Sequence, residues 1–375
     1  MSNPPREPLV VGRPNLGQRN KFLARVEDIL DRRWLSNNGR YVQEFEARVA
    51  DIVGVKHCVA VCNATVGLEL AVRALELAGE VIVPSHTFIA TVHCLHSQQI
   101  VPVFCDVDPL THNIDPVAAE KLITPRTTAI LSTHLWGRGA AVDALQDIAD
   151  RHGLKLLYDA AHAFGCSAGG RMIGGFGDAE VFSFHATKFI NCLEGGVITT
   201  NRDEIAARLR RMKNFGFVDY DKVVCAGTNG KMNEVSAAMG LTNLESMDEF
   251  IAINRAHYDN YRQKLDVLPG ITVMPYSESE RCNFQYVVVE VDEAQAGVSR
   301  DLLVERLHEQ RIIARRYFYP GCHRMEPYCS TASGFKVSLP VTEYLCGRLM
   351  CLPTGTGISD EDVGYVCEAI RKTVK

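Results

Sequence analysis

The feature that most constrains the fold of this 375-residue chain is an alternation between residues 57 and 200, where short apolar runs are separated by stretches of helical periodicity. The runs have the length of single strands, and the stretches between them, such as 67–77 and 142–152, place apolar residues on one helical face. This order predicts βα units and a mainly parallel sheet covered by helices on both faces. The predicted strands lie at 57–61, 80–83, 101–104, 129–131, 154–158, 179–184 and 196–200.

The regions on either side of this alternation complete a predicted two-domain arrangement. Because a chain of this length usually forms about two domains, we predict a large domain over 1–250, which includes an N-terminal arm, and a small α+β domain over 251–375. No low-complexity linker separates them, so we expect tight docking. Outside the alternation, helices are predicted at 21–34, 44–53, 233–250, 300–309 and 360–374, and strands at 285–291 and 312–315.

Composition and charge exclude several classes of protein. The net charge of −5 leaves no excess of cations for a nucleic-acid backbone. The thirteen cysteines are scattered without a CxxC pair, so we expect no metal and no redox motif, but reduced and mostly buried thiols. The N-terminus lacks the apolar core of a signal peptide, and no apolar run reaches the ~18 residues of a membrane span. We therefore predict a soluble, cytoplasmic protein that binds neither nucleic acid nor a membrane.

Residues that directly follow the predicted strands are candidates for a site, because ligands of parallel α/β sheets bind at the carboxyl ends of the strands. Asp159 follows Leu-Lys-Leu-Leu-Tyr and enters an apolar environment, where a carboxylate needs a cationic partner. Lys188 follows the strand at 179–184; partial burial would lower its pKa, although a solvated surface lysine is the alternative. A lysine that holds an aldehyde as a Schiff base and an aspartate that keeps a ring nitrogen protonated together indicate pyridoxal phosphate.

Three further strand ends are compatible with that cofactor. The segment Asn63-Ala64-Thr65 lies between a strand and a helix, where backbone N–H groups and the helix dipole favour a phosphate, although Asn63 or Thr65 is equally suited to be an ordinary N-cap. Phe88 is either a core residue or a flat face against the cofactor ring. His162 either contacts the phenolic oxygen of the ring or is a histidine of the core or surface.

These residues stand within a series of motifs that resembles the DegT-type nucleotide-sugar aminotransferases, which are pyridoxal phosphate enzymes of fold type I. The resemblance extends from about Trp34 to the C-terminus and implies an aspartate aminotransferase-like fold with a seven-stranded sheet. The motifs are Trp-Leu-Ser-Asn-Asn-Gly at 34–39, Cys-Asn-Ala-Thr at 62–65, Asp-Ala-Ala-His-Ala-Phe-Gly at 159–165, Ser-Phe-His-Ala-Thr-Lys at 183–188, Glu-Gly-Gly at 194–196, Gly-Thr-Asn-Gly-Lys-Met at 227–232 and Tyr-Phe-Tyr-Pro at 317–320.

The resemblance assigns roles to individual residues. It implies that Lys188 is the Schiff-base lysine and that Asp159 is the partner of the ring nitrogen. It also implies that Phe88 lies against the ring. The phosphate contacts that it implies are Ala64, Thr65 and Ser183.

The resemblance also implies a homodimer with shared active sites. In this family the asparagine of the glycine-flanked loop, which is Asn229 here, reaches into the site of the neighbouring subunit. Two motifs depart from the family pattern. The phosphate motif is Asn63-Ala64-Thr65 where Ser-Gly-Thr is usual, and Lys231 stands where an arginine is common.

Among the branches of the family, the motifs at 34–39 and 63–65 and the stretch 316–323 are most similar to enzymes that aminate C4 of dTDP-4-keto-6-deoxyglucose, a precursor of amino-deoxysugars in antibiotics and surface glycans. The implied amino donor is L-glutamate, which leaves as 2-oxoglutarate while the cofactor passes through pyridoxamine phosphate. We expect the sugar diphosphate at a basic and aromatic cluster, because an acidic protein must gather local cations to hold it. This cluster consists of Arg315, Arg316, Tyr317, Tyr319 and Lys231.

These residues also bear on several alternative functions. An aminotransferase of the same family that acts on a 3-keto sugar stays open, because neither spacing nor charge distinguishes it. Family members that remove a sugar hydroxyl carry histidine in place of the lysine, and a non-catalytic ligand-binding regulator has no need of the pair, so Lys188 with Asp159 argues against both. A nicotinamide dehydrogenase fits the sheet but lacks G-x-G-x-x-G after the first strand.

Overall fold

The structure is a computed structural model that describes residues 7–330 and 337–374. Its strands, numbered in chain order, are β1 Leu9–Val10, β2 His57–Val61, β3 Glu80–Pro84, β4 Val101–Cys105, β5 Thr127–Thr133, β6 Lys155–Asp159, β7 Ser167–Ala168, β8 Arg171–Met172, β9 Ala179–Ser183, β10 Gly196–Thr200, β11 Phe217–Asp219, β12 Lys222–Val223, β13 Ile271–Val273, β14 Val287–Val291, β15 Ile312–Ile313 and β16 Leu349–Leu352. Its α-helices are α1 Arg19–Arg32, α2 Arg40–Val53, α3 Ala64–Ala74, α4 Ala90–His96, α5 Pro116–Lys121, α6 Val142–His152, α7 Asp203–Met212, α8 Glu234–Leu244, α9 Met247–Leu265, α10 Glu293–Ala296, α11 Arg300–Glu309, α12 Pro340–Arg348 and α13 Asp360–Thr373.

Seven strands form the central sheet, in the order β2-β10-β9-β6-β5-β3-β4. The pairs β3 with β4, β3 with β5, β5 with β6 and β6 with β9 are parallel. β10 is antiparallel to both of its neighbours, β2 and β9. The predicted mainly parallel sheet of seven strands is therefore confirmed, with β10 as the antiparallel exception.

An apolar layer lies on each face of this sheet. In β6, Leu156 and Tyr158 pack into one core cluster and Leu157 packs into the other, as the period-two alternation of a strand requires. Phe45 of α2 and Leu241 of α8 belong to the first cluster, and α3 supplies residues to the second. Each large buried side chain contributes about 1.5–3 kcal/mol. The packing on both faces therefore holds the ends of the strands in fixed positions.

The C-terminal part of the chain forms a second unit around a three-stranded antiparallel sheet, β13-β14-β16, with its own core cluster. The sequence predicted one helix over 233–250, but the structure has two, α8 and α9, which are separated near Ser246. α9 places Phe250 in the core of the large sheet and Tyr261 in that of the small unit. The domain division after residue 250 falls inside this helix and stays a prediction.

Two further expectations concern cysteines and membranes. All thirteen cysteines lie in the described residues and are free thiols, and ten of them are buried, as predicted. Within 7–330 and 337–374, no helix has the length and apolar character needed to cross a membrane.

Candidate active site

A cavity of about 650 Å³ lies at the carboxyl ends of the parallel strands. The segments that follow β2, β3, β5, β6 and β9 all contribute to it, in agreement with the expectation for a sheet of this type. The C-terminal part of the chain adds Tyr286, Arg315, Tyr317 and Phe318. The residues predicted from the sequence that line this cavity are Ala64, Thr65, Phe88, Asp159, His162, Ser183, Lys188, Arg315 and Tyr317.

Lys188 is partly buried in the wall of this cavity. Burial lowers the pKa of Lys188 to about 8, and the Asp159 carboxylate opposes this effect only in part. Its Nζ lies 3.3 Å from the hydroxyl of Tyr286. An amine with this pKa is partly neutral near pH 7 to 8, so it is able to act as a nucleophile and as a base. Lys188 is therefore not a solvated surface lysine.

Asp159 ends β6 and is 8% exposed. Its Oδ2 accepts a hydrogen bond from the Thr91 hydroxyl at 2.7 Å, and its Oδ1 accepts one from the Ala161 N–H at 3.0 Å. Burial raises the pKa of Asp159, against the effect of these two hydrogen bonds and of Lys188. Across residues 7–330 and 337–374, no basic side chain forms an ion pair with it within 4.0 Å. The site thus contains a buried carboxylate suited to a cationic ligand group.

The first turn of α3 borders the same cavity. Asn63 is the N-cap, and its side chain accepts the Val66 N–H at 2.9 Å. The N–H groups of Ala64 and Thr65 remain available to an anion at the positive end of the helix dipole. Ser183, which is 8% exposed at the end of β9, adds a hydroxyl to this lining. The cap and a phosphate site, which the sequence offered as alternatives, are compatible with each other.

His162 is 7% exposed and packs between aromatic rings. Trp136 and Phe318 each lie nearly parallel to the His162 ring, with centroids 5.8 Å away. The backbone N–H of Trp136 donates to His162 Nδ1 at 3.3 Å, so Nε2 carries the proton of the neutral ring. Burial lowers the pKa of His162 well below its usual range, and Lys188 lowers it further. Phe88 borders the cavity at 55% exposure and is therefore not a core residue.

Only part of the predicted basic cluster reaches the cavity. Arg315 lines it, with its guanidinium 5.2 Å from the centroid of the Tyr317 ring. Arg316 is held elsewhere, because its Nη1 donates to Asp301 at 3.0 Å and its guanidinium lies over Tyr319. Successive residues of an extended segment face opposite sides, which accounts for the difference between the two arginines.

Lys231 and Asn229 lie apart from this cavity in the same subunit. Lys231 lines a second cavity of about 270 Å³, where its Nζ donates to Asn214 at 3.0 Å and lies 4.5 Å from the centroid of the Phe215 ring. Asn229 is exposed and forms a β-bridge with Asn214. The sequence grouped Lys231 with the arginines, and one chain by itself does not bring them together.

Three residues of the site had no predicted role. Thr91, which holds Asp159, lies one turn beyond Phe88, and its role depends on the packing of α4 against the sheet. Trp136 lies in the segment 134–137, which follows a predicted strand and was therefore a candidate position, but nothing in the sequence assigned it a contact. Tyr286 lies inside the predicted strand 285–291, where alternation indicates a core residue and nothing indicates contact with the lysine.

A comparison of the sequence with models of protein families identifies the family of the chain. A model described as the DegT/DnrJ/EryC1/StrS aminotransferase family matches residues 17–371. The chain belongs to this family. It is therefore an aminotransferase, and the resemblance found in its motifs is confirmed.

Relatives and a solved structure extend this result over nearly the whole chain. The dTDP-4-amino-4,6-dideoxy-D-glucose transaminase of Shigella dysenteriae is 38% identical over 367 residues, which cover 98% of this chain and 99% of the relative. The GDP-perosamine synthase of Caulobacter vibrioides is 35% identical, with 100% of each chain covered. The structure of DesI in the presence of its TDP-sugar product is 48% identical, with a TM-score of 0.94, and covers 99% of this chain and 94% of DesI. The predicted fold class is thereby confirmed.

Proposed function

We propose that the chain transfers the amino group of L-glutamate to C4 of dTDP-4-keto-6-deoxy-D-glucose and uses pyridoxal 5'-phosphate as its cofactor. The observation that carries the proposal is the presence of the low-pKa Lys188 and the buried Asp159 in one cavity. Two similar proteins support the substrate, because the Shigella relative is named for a dTDP-linked 4-amino sugar and DesI has a TDP-sugar product. The product would be the 4-amino-4,6-dideoxy sugar.

The residues of the cavity fit this cofactor. Asp159 is a buried carboxylate that lacks an ion-pair partner among the residues described, so it suits a protonated ring nitrogen. The N–H groups of Ala64 and Thr65, with the hydroxyl of Ser183, suit a phosphate. Lys188 suits the aldehyde. When bound, pyridoxal phosphate supplies an electron sink that makes the proton on the amino acid Cα removable.

Residues of the chain would supply the proton transfer and the contacts with the cofactor ring. With pyridoxal phosphate bound, Lys188 would accept the Cα proton of the amino acid and deliver it to the cofactor carbon that carries the aldehyde, and the reverse transfer would serve the sugar. This role requires an amine that is partly neutral at neutral pH. Asp159 would stabilise the charge of the protonated ring nitrogen. His162 would be able to donate from Nε2 to the phenolic oxygen of the ring, because its Nδ1 already accepts the backbone N–H of Trp136. Phe88 offers an exposed flat face to the ring.

A first prediction tests the order of the reaction. Because one lysine serves both substrates in turn, glutamate alone should convert the bound cofactor and release about one 2-oxoglutarate per site before any sugar is added. Rapid-quench measurement of 2-oxoglutarate, together with the absorbance of the bound cofactor, checks this. Release that occurs only when the keto sugar is also present would contradict the two-step order.

A second prediction concerns the diphosphate of the sugar nucleotide. Arg315→Ala should raise the KM for the sugar nucleotide by about 10-fold or more and leave the glutamate half-reaction nearly unchanged, because a charged hydrogen bond is worth ~1.5–3 kcal/mol. Arg316→Ala is the matched control, since Arg316 is engaged with Asp301. The sequence alone predicted this effect for Arg316→Ala, because Arg316 belongs to the cluster expected to hold the diphosphate. A larger effect there than at Arg315 would show that the side chain turns towards the nucleotide when it binds.

We also propose that the active unit is a homodimer in which Asn229 completes the site of the partner. Exposed apolar side chains on the N-terminal arm and near the loop of Asn229 support an interface. They are between 47% and 95% exposed, and they include Leu30, Trp34, Phe215 and Tyr220. Lys231 lies in the same region, so we place its contribution to the substrate in the neighbouring site.

A third prediction follows from the shared site. Lys188→Ala and Asn229→Ala chains should each be inactive alone, and mixing them should restore activity, because one of the two sites in a hybrid dimer has both residues intact. The measurement is glutamate-dependent amination after denaturation and joint refolding, with subunit exchange verified by mass spectrometry. Absence of rescue in verified hybrids would place Asn229 outside the partner's site.

A further inference from the structure

Tyr286 is the side chain that contacts the amine of Lys188. It lies directly before β14, is 6% exposed and places its hydroxyl 3.3 Å from Lys188 Nζ. Among the described residues, no other side chain makes a hydrogen bond to Nζ. Its ring packs against His162 at 4.5 Å and against the edge of Trp136 at 5.3 Å between centroids. The phenol is thus fixed between the lysine and the aromatic rings of the site.

The segment that carries Tyr286 is attached to the site at two further points. Asn283 Nδ2 donates to the carbonyl of His162 at 3.0 Å. Gln285 Nε2 donates to the carbonyl of Thr187, the residue before the lysine, at 3.2 Å. Three residues within 283–286 therefore hold the backbone of His162, the backbone of Thr187 and the amine of Lys188.

The backbone of Tyr286 is also held in place. The hydroxyl of Tyr276 lies 2.8 Å from the carbonyl oxygen of Tyr286 and 2.9 Å from that of Trp136. Because both acceptors border the site, this contact fixes the distance between the aromatic rings and the segment 283–286. The Tyr286 hydroxyl is therefore positioned before any ligand binds.

We propose that Tyr286 is a further catalytic residue, whose hydroxyl holds the Lys188 amine in position while the lysine accepts and returns the substrate proton. A phenol both accepts and donates hydrogen bonds. It accepts an N–H of the ammonium after Lys188 has taken the proton, and it donates to the amine after the proton has been passed on. The proton would move from the substrate Cα to Nζ and from there to the cofactor carbon that carries the aldehyde, and the reverse half-reaction would return it by the same route. The phenol therefore neither gains nor loses a proton. Burial raises the pKa of Tyr286, so the phenol stays protonated.

The first test uses the glutamate half-reaction of the cofactor-bound protein, and in this respect the inference rests on the proposed function. Tyr286→Phe should slow the half-reaction by about 10- to 100-fold with the binding of glutamate little changed, because misplacing a catalytic group impairs proton transfer more than binding. With glutamate deuterated at Cα, the isotope effect on this rate should increase. Tyr261→Phe is the control, since it removes a buried phenol hydrogen bond to Pro353 outside the cavity and should leave both quantities unchanged.

The second test does not depend on turnover. In the cofactor-free protein, the rate of Lys188 acetylation measured against pH by mass spectrometry reports the pKa of its amine. Tyr286→Phe should lower that pKa by half a pH unit or more, because hydrogen bonds stabilise charged groups more than neutral ones. Tyr261→Phe should not change it.

The results of these tests distinguish the role proposed for Tyr286 from the proposed aminotransferase function. A folded Tyr286→Phe protein with an unchanged isotope effect and an unchanged Lys188 pKa would overturn the role of Tyr286, even if its rate fell. Failure of the wild type to react with glutamate would instead overturn the proposed function, and the acetylation test would still apply. If Tyr286→Phe does not fold, Tyr276→Phe should show a smaller change in the same direction, and no change there would count against the role.

Discussion

Lys188→Ala is expected to abolish transamination and to remove the absorbance that arises from the covalent link between the lysine and the cofactor, while the chain remains folded. The residue supplies both the covalent link and the base, and the loss of general base catalysis alone costs about 10²- to 10⁴-fold. We therefore expect activity to fall by at least about 1,000-fold. An absorbance scan measures the covalent link to the cofactor, an assay of 2-oxoglutarate release measures activity, and a circular dichroism spectrum shows whether the chain is folded.

The matched control is Lys155→Ala. Lys155 begins β6, the strand that Asp159 ends, and its side chain is 44% exposed. It has no contact with the cavity, so its loss should leave absorbance and rate within about twofold of the wild type, as for an ordinary surface substitution. Normal turnover by the Lys188→Ala protein would remove the lysine from the mechanism.

The second large effect is expected for Asp159→Asn. Its amide oxygen still accepts the Thr91 hydroxyl, but the charge that keeps the ring nitrogen protonated is gone. We expect the rate of both half-reactions to fall by about 100-fold or more, while the protein folds and still binds cofactor through Lys188. Stopped-flow absorbance measures the half-reactions. Asp203→Asn, at an exposed carboxylate of α7, is the control and should react normally.

Asp159→Asn should also change the stability of the cofactor-free protein, because it removes the buried charge. Burial raises the pKa of Asp159 above its unfolded-state value, so the charged form destabilises the fold. This penalty is absent below the unfolded-state pKa of about 3.9 and fully present above the raised folded-state pKa. Asparagine loses the hydrogen bond from the Ala161 N–H at every pH, so the charge is isolated by the pH dependence. Without cofactor, the Tm of Asp159→Asn relative to that of the wild type should rise between about pH 4 and neutral pH. A relative Tm that falls over this range would show that the carboxylate stabilises the empty site.

Much of the fold and of the cofactor site was predictable because both depend on patterns that are local in sequence. Each strand of the large sheet is one apolar run, and the strand ends carry Asp159 and Lys188. Since parallel strands end at one edge of a sheet, residues far apart in the chain could be expected to meet there. The family motifs then predicted a role for each of these residues.

The remaining features depend on contacts that no local pattern encodes. Tyr286 alternates like any core residue of a strand, and its contact with Lys188 arises only from the docking of the C-terminal unit. Arg315 and Arg316 have the same chemistry, and the direction of the backbone decides which one reaches the cavity. The break between α8 and α9 was missed because both helices continue the same apolar periodicity.

The position of the new amine in the product is the most direct test of the proposed reaction. The protein is incubated with L-glutamate and dTDP-4-keto-6-deoxy-D-glucose, and the product is examined by NMR. We expect an amino group at C4 of the sugar and one 2-oxoglutarate for each amine formed. An amine at C3, or no aminated product from the dTDP-linked 4-keto sugar while glutamate still converts the bound cofactor, would contradict it.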